Sequence, residues 1–344
     1  MENSLAVYGF STKYKNIESC YKEWNNVFDN SKKAMPLQIY GETFMNNIGK
    51  RNPIITFLII TLVILFSSAF AIAVHAIMPA AVDVTEFDGT LVKMFGFPAV
   101  AVSYFFILYI QCTMAVRFVC KRTKISNMQT GIRLGLSFAL IYLIAMQEVV
   151  IKGSPFDTYG IDFIRYQFFM GLGDAIPAFL LCMIITVFTI KNIKDSGNGV
   201  DQVGKQKIQE RIRAIGIIAI CFFIERVIGY KTGIIQSDCD TYPIPSYIWT
   251  ALFGLTLGCI YIILYPVLFN EDRKSSVAVS FIIVIGINWV IFNSFIGLIL
   301  DGVMPQMFLR SGIDVIILLI ACCVTEKLTK KSYSKKHGIG GIEL

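Results

Sequence analysis

The sequence has 344 residues, of which 55% are hydrophobic and 16% are charged, and its formal net charge is +7. Soluble domains carry about 25% charged residues. The low charged fraction and the mean hydropathy of +0.63 therefore exclude an ordinary soluble protein. The positive charge does not indicate nucleic-acid binding, because the Lys and Arg residues stand at the ends of apolar runs rather than on one basic face. Two histidines, and nine cysteines without a C-x-x-C pair, predict no metal site and no cofactor.

The first 52 residues are polar and mixed in charge, with aromatic residues such as Tyr21, Trp24 and Phe28 among them. Two interpretations fit this segment: amphipathic helices lying on the inner membrane surface, or a short cytoplasmic cap on a helix bundle. We expect residues 1–52 to form this interfacial part. The transmembrane domain then follows over 53–324, and a basic cytoplasmic tail over 325–344.

Eight long apolar runs, separated by short polar loops, dominate the rest of the chain. About 20 helical residues cross a hydrocarbon core roughly 30 Å thick. We therefore predict an all-α fold, a polytopic helix bundle with eight transmembrane helices embedded in the lipid bilayer. The third and fifth runs are short, so their helices are expected to extend by a few residues. The predicted spans are 53–78, 96–118, 134–151, 166–190, 214–229, 246–269, 277–300 and 308–324.

The charged loops predict the orientation. Of the 31 Lys and Arg residues, 25 fall on one side of the predicted spans, five fall on the other, and Arg226 lies within a span. Basic residues collect on the cytoplasmic side, so both termini are predicted to be cytoplasmic. Lys outnumbers Arg by 21 to 10, a bias found in AT-rich bacterial genomes, which favours the cytoplasmic membrane of a bacterium.

Spans three and four can be aligned with spans seven and eight. Ser137 falls on Ser280, Gln167 on Gln306, and Asp174 near Asp314. Spans one and two then map onto five and six. Because each unit has four spans, both copies would share one orientation, which predicts a parallel 4+4 repeat about an axis along the membrane normal.

Ionisable side chains within the spans are the clearest functional signal, because a charge at the bilayer centre costs at least about 2.5–3.5 kcal/mol. In the predicted topology they all lie in the outward-facing half, which indicates a polar cavity open to the outer face. We predict that Asp174, about 12 Å into its helix, shares this cavity with Arg226 and Asp314, and that Arg226 can neutralise Asp174. The alternative for most of these residues is a structural role as charged pairs between helices. The candidate site residues are Asp174, Arg226, Asp314, Glu225, Asn293, Glu148 and Arg310.

The stretch from Gly171 to Pro177, which reads Gly-Leu-Gly-Asp-Ala-Ile-Pro, locally resembles the G-x-G-D signature of intramembrane aspartyl proteases. That resemblance implies a second aspartate on the preceding span, in a Tyr-Asp pair, and a later Pro-Ala-Leu. Here the preceding span offers Glu148 instead, and no Pro-Ala-Leu follows. The resemblance covers seven residues, so it supports peptide hydrolysis only as one hypothesis among others.

Three classes of function remain open on the sequence alone. The first is a transporter or permease whose polar site binds a small molecule or lipid, or a coupling proton, in the outer half of the bundle. The second is a membrane enzyme acting on a lipid, cell-envelope or peptide substrate, with Asp174 as general acid or base and Glu148 or Asp314 as its partner. The third is a non-catalytic membrane protein, such as an immunity or assembly factor, recognisable by its protein partner.

Overall fold

The computed structural model describes residues 53–78, 84–145, 160–190, 208–269 and 276–336, with side chains as far as Leu328. Within these ranges the chain is helical with short connections and has no strand, so the all-α prediction is confirmed. A single 3-10 turn, Val84–Glu86, precedes the second helix. The α-helices are α1 Pro53–Ile77, α2 Thr90–Phe95, α3 Phe97–Cys120, α4 Asn127–Ala145, α5 Ile161–Thr189, α6 Ile208–Thr232, α7 Pro243–Leu268, α8 Val277–Phe281, α9 Ile287–Ile299 and α10 Met304–Lys336.

Seven helical stretches of the described chain are long and apolar enough to cross a membrane, and the chain is a multi-pass helical membrane protein. They are α1, α3, α4, α5, α7, the α8–α9 stretch from Val277 to Ile299, and α10 as far as Leu328. Helix α6 has 25 residues but is not one of the seven, because charged residues interrupt it from Glu210 to Lys231. The prediction of eight spans is therefore confirmed for seven of them.

Several helices begin earlier than their apolar runs. Helix α4 begins at Asn127 rather than at 134, and α5 begins at Ile161 rather than at 166. The added turn of α5 carries the exposed Asp162 and Arg165, whereas Asn127 at the start of α4 is buried and donates through Nδ2 to the Ile190 carbonyl at 3.1 Å. Helix α10 also continues to Lys336, through the first part of the predicted basic tail. The tail's last residues and the N-terminal 52 residues lie outside the described ranges.

Small residues let neighbouring helices approach closely. A Cβ atom on Gly258 would lie 2.8 Å from the Cα and carbonyl oxygen of Ile215, so α6 and α7 can touch only because this residue is glycine. Gly254 meets Ala219 in the same way. The Gly-x-x-x-Gly pattern on α7 is thus a helix-packing element, as such patterns usually are in membrane proteins.

A polar network fixes the centre of the bundle. The chain between α8 and α9 forms a π-helical turn, Ile282–Gly286, and Gln111 Nε2 on α3 donates to the Val284 carbonyl inside that turn at 3.2 Å. Asn288 Nδ2 donates to Gln111 Oε1 and to the hydroxyl oxygen of Tyr142, each at 2.8 Å. Three helices are therefore joined by hydrogen bonds in a region where water cannot replace them.

Candidate functional site

A cavity of about 460 Å³ lies at the end of the bundle where α1 and α9 finish and where α3, α5 and α10 begin. Its walls are mostly apolar, and eight of its lining residues are aromatic. A few polar side chains interrupt them, as in binding sites for small molecules. The polar side chains that line it are His75, Tyr104, Tyr166, Gln167, Asp174, Trp289, Asn293 and Arg310.

Asp174 is the acidic residue of the cavity wall, among the residues that the structure describes. It is the fourteenth of 29 residues in α5, so it lies near the middle of the helix and deeper than the sequence predicts. Only 1% of its surface is exposed. Its Oδ1 atom lies 3.3 Å from Nε2 of His75, near the end of α1. The carboxylate thus has an imidazole partner that the sequence analysis did not assign to it.

The local sequence around Asp174 allows this contact. A Cβ atom on Gly173 would lie 2.9 Å from the His75 ring, and one on Gly171 would lie 2.9 Å from the Cα atom of Leu143 on α4. Gly173 therefore leaves space for the imidazole ring, and Gly171 leaves space for the backbone of α4. Pro177, inside α5, has no N–H to donate to the carbonyl four residues earlier, so the helix lacks one internal hydrogen bond beside Asp174.

The orientation of His75 can be read from its other nitrogen. Nδ1 lies 2.8 Å from the carbonyl oxygen of Ala71, and a carbonyl only accepts, so Nδ1 carries the hydrogen. In a neutral imidazole Nε2 is then a lone-pair acceptor that faces an acidic oxygen of Asp174. Two acceptors at this distance need a proton or another donor between them.

Aromatic rings form a continuous wall from this pair to the opposite helix. The His75 ring lies 5.4 Å from Phe105, Phe105 lies 5.3 Å from Tyr104, and Tyr104 lies 4.4 Å from Phe295 on α9, all between ring centroids. The Tyr104 hydroxyl donates to the carbonyl of Phe292 at 3.4 Å. The wall therefore joins α1, α3 and α9 with one apolar surface.

A short segment that includes Phe87 and the start of α3 contributes to the cavity lining. Phe87 and Phe97, both lining it, stack with ring centroids 4.9 Å apart. The segment is attached to the end of α9, because Gly89 N–H donates to the Ile299 carbonyl at 2.9 Å and the backbone N–H of Asp301 donates to Asp88 Oδ1 at 3.0 Å. These contacts hold the two phenylalanine rings over the aromatic wall.

A second buried ion pair lies outside the cavity lining. Arg226 on α6 donates through Nε to Asp314 Oδ1 at 2.8 Å and through Nη2 to Oδ2 at 2.6 Å. Arg226 has no exposed surface, and its guanidinium lies 5.3 Å from the centroid of the Phe222 ring. Trp289 Nε1 adds a third hydrogen bond to Asp314 Oδ2 at 2.8 Å. This is a bidentate, charge-assisted pair of the strong kind.

The prediction of one shared volume is therefore wrong. Asp174 borders the cavity, whereas Arg226 and Asp314 bind each other directly and do not line it. Arg226 does not neutralise Asp174, because its guanidinium is committed to Asp314 and His75 is the partner of Asp174. Depth along a helix placed the three charges at a similar level, but their directions around the helix axes separate them.

The other sequence-predicted residues are divided between the two places. Asn293 and Arg310 line the cavity, and Asn293 Nδ2 also donates to the Trp289 carbonyl at 2.9 Å. Arg310 interacts electrostatically with Asp314, one turn further along α10. Glu225 lies 3.8 Å from Arg226 and borders a separate isoleucine-rich groove. Glu148 lies outside the described residues.

Five polar residues that border the cavity were not among the candidate site residues: His75, Tyr104, Tyr166, Gln167 and Trp289. Gln167 is buried on α5, two helical turns before Asp174. Trp289 lines the cavity and donates to Asp314 of the second ion pair. The intramembrane position of His75 was visible in the sequence, but nothing in the chain indicated which helix it would meet. A pattern of aromatic residues at helical spacing on α3 and α9 was the available signal for the wall.

The arrangement can bind and exchange a proton, and it can hold an apolar molecule with a polar group. Asp174 is the only carboxylate on the wall among the described residues, whereas Glu225 and Asp314 interact with each other beside Arg226. Within the same residues no cluster of His, Cys, Asp or Glu could hold a metal ion.

Comparison with known proteins gave no match to a family model, a curated protein or a solved structure.

Proposed function

We propose that this protein is a carrier that moves a small amphipathic molecule across the membrane, with the cavity beside Asp174 as its binding site. The observation that supports it is the combination of a roomy, mostly apolar cavity with a single buried carboxylate on its wall. The cavity opens at one end of the bundle and reaches Asp174 near the middle of α5, and substrate sites of secondary transporters usually lie near the bilayer midplane. The protein class is then a permease of a bacterial cytoplasmic membrane.

The His75–Asp174 pair would couple transport to protons. Histidine changes its charge near neutral pH, and intramembrane Asp and His residues form the proton-binding sites of many transporters. Here the acceptor atoms of both side chains face each other across 3.3 Å. One proton between them gives both acceptor atoms a hydrogen-bond donor. When that proton leaves, a positively charged group of the substrate can take its place.

The enzyme hypothesis has less support. Acid–base hydrolysis by two carboxylates needs both at one substrate, and intramembrane aspartyl proteolysis needs two aspartates. Asp314 accepts three hydrogen bonds in its pair with Arg226 and Trp289, so it is not a second acid for Asp174. The two glycines of the G-x-G-D stretch are explained by packing against His75 and α4.

The carrier would have eight spans and cytoplasmic termini, with α6 as the eighth span. Its 25 residues extend about 37 Å at 1.5 Å per residue, and its buried charge on Arg226 is paired. Cysteines replacing the exposed residues Asp240 and Lys121 test this topology. We expect an impermeant thiol reagent to reach the first from outside and the second only after permeabilisation; outside labelling at Lys121 would reverse the orientation.

The helix contacts support the 4+4 repeat within this proposal. Helix α1 packs against α3 and α5, while α6 packs against α7 and α10. Helix α4 packs against α7, while α9 packs against α3. Exchanging the two halves converts each of these contacts into another that is present, whereas the contact between α3 and α5 has no counterpart of similar extent between α7 and α10. The ion pairs follow the same rule, since His75–Asp174 joins α1 to α5 and Arg226–Asp314 joins α6 to α10.

Solute uptake by purified protein in liposomes tests the carrier directly. Vesicles with an imposed proton gradient are incubated in a defined mixture of small amphipathic solutes, and the trapped solutes are identified by mass spectrometry. We expect wild-type vesicles and the control Asp162→Asn, an exposed residue of the same helix, to accumulate at least one solute above empty vesicles. Asp174→Asn should accumulate none, and equal trapping in all vesicles contradicts the proposal.

A further inference from the structure

We infer that the ligand of this cavity is an amphipathic amine, whose ammonium group binds between His75 and Asp174 and takes the place of the proton there. The inference rests on the proposed function and names its substrate class. It follows from three observations: the donor and acceptor roles of His75 and Asp174, the aromatic wall beside them, and the position of Arg310 on the cavity wall.

The acceptor atoms of His75 and Asp174 favour a ligand that donates hydrogen bonds. His75 Nδ1 is occupied as a donor to Ala71, so a neutral His75 presents only a lone pair at Nε2. Among the described residues no donor hydrogen-bonds to Asp174 Oδ1, and His75 Nε2 at 3.3 Å is its ion-pair partner. A buried carboxylate oxygen without a donor is costly. A primary ammonium has three N–H groups and a positive charge, so it can satisfy both acceptors at once.

The aromatic wall suits the rest of such a molecule. The rings of Phe105, Tyr104 and Phe295 follow one another from His75 to α9 with centroid separations of 4.4 to 5.3 Å. A cation near ring faces gains attraction from the ring quadrupoles, and an apolar body replaces water on the wall. A cavity of about 460 Å³ holds an aromatic or aliphatic amine of modest size.

The charged and titratable groups around the site are His75 on α1, Tyr104 on α3, Asp174 and Tyr166 on α5, and Arg310 on α10. Arg310 is the one fixed cation among them. It interacts with Asp314 on its own helix, four residues away and on the same helix face. Arg310 therefore lies beside the second ion pair, and Asp174 is the one carboxylate among the described residues that line the cavity.

Three ligands with one body and different head groups test the inference. Full-length protein in lipid nanodiscs is titrated calorimetrically with 4-phenylbutylamine, 4-phenylbutanol and 4-phenylbutyrate. We expect the amine to bind at least about tenfold more tightly than the alcohol, as expected for a hydrogen bond to a charged group, and the carboxylate to bind most weakly. Asp174→Asn should remove the amine's advantage, whereas Asp162→Asn should keep it.

A pH series tests the exchange of amine for proton. The amine remains protonated throughout the range, while a lower pH adds the competing proton to the pair. Amine affinity should therefore fall as the pH is lowered from about 8 to about 6, and the alcohol's affinity should not. Thermal melting of each variant in the absence of ligand shows whether it is folded, so a loss of binding can be assigned to the site.

The possible outcomes separate this inference from the carrier proposal. Tighter binding of phenylbutyrate, equal binding of all three ligands, or no amine binding by the folded wild type overturns the amine inference. An amine advantage that survives in Asp174→Asn also overturns it. If the amine binds as expected but is not taken up by vesicles, the ligand class stands and the carrier fails. If vesicles take up only anionic or neutral solutes, the carrier stands and the amine fails.

Discussion

The two buried ion pairs are similar in composition but differ in their surroundings. In each, an aspartate on a long helix meets a basic side chain from the helix three spans earlier, Asp174 with His75 and Asp314 with Arg226. Arg226 is fully buried and bidentate, with Trp289 completing the hydrogen bonds of Asp314. The His75 side chain is 23% exposed, and its pair borders a cavity. Among the described residues, one buried pair is thus closed off from the cavity, and the other is open to it.

From this difference we propose a structural role for one pair and a functional role for the other. Arginine stays charged under all conditions and its fork matches a carboxylate, so the Arg226–Asp314 pair has a single state and holds α6 against α10. The His75 side chain is partly exposed and its pair borders the cavity, so a ligand or a proton can reach it. A closed pair stabilises the bundle, and an open pair beside a cavity can bind a ligand or a proton.

The largest effect is expected from Arg226→Ala. This change removes the bidentate partner of the buried Asp314 and leaves only Arg310 as a neighbouring cation, and breaking a buried pair costs about 3–5 kcal/mol. We expect a lower melting temperature in nanodiscs and a clear loss of protein from the membrane fraction. The control is Arg213→Ala, which removes an exposed arginine from the same helix and should change neither quantity. A normal melting temperature for Arg226→Ala would show that the second pair does not stabilise the bundle.

Trp289→Phe should have an intermediate effect on the same pair. The change keeps an aromatic ring but removes the indole N–H that donates to Asp314 at 2.8 Å. Hydrogen bonds to charged groups contribute about 1.5–3 kcal/mol, so the melting temperature should fall by less than in Arg226→Ala. In the double variant the two losses should not add. Full additivity would indicate that Trp289 acts through packing rather than through Asp314.

His75→Gln should have the smallest effect on stability. An amide can still donate to the carboxylate, and the position is partly exposed, so we expect a change in unfolding free energy of less than about 1 kcal/mol. Solute uptake should lose its dependence on the proton gradient, because the amide does not titrate. A variant that retains gradient-driven uptake would remove His75 from the proposed proton site.

The sequence predicted the helices well and the directions of their side chains poorly. Hydrophobic length placed seven spans, because the bilayer imposes that length on each of them separately. Helix α6 was predicted too, even though Glu225 and Arg226 interrupt its apolar run. Their burial depends on Asp314, which lies 88 residues further along the chain. No local rule connects residues so far apart.

The candidate site shows the same limit. Asp174 was singled out because it lies deep in a span, and depth can be read from one helix alone. Its partner His75 and its separation from Arg226 depend on how helices rotate and tilt against one another. The glycines at 171 and 173 were read as part of a motif, and the structure shows them as packing positions for Leu143 and His75. Packing between helices supplied what the sequence could not.

The most direct test compares Asp174→Asn with Asp314→Asn in one preparation. Both changes remove a charge and keep the shape of the side chain, and both variants are measured for unfolding free energy in nanodiscs and for solute uptake per folded molecule. We predict that Asp174→Asn stays within about 1 kcal/mol of wild type and loses uptake, whereas Asp314→Asn loses about 3–5 kcal/mol and its folded molecules still transport. The reverse pattern, with full uptake by Asp174→Asn, would contradict the assignment of a functional and a structural pair.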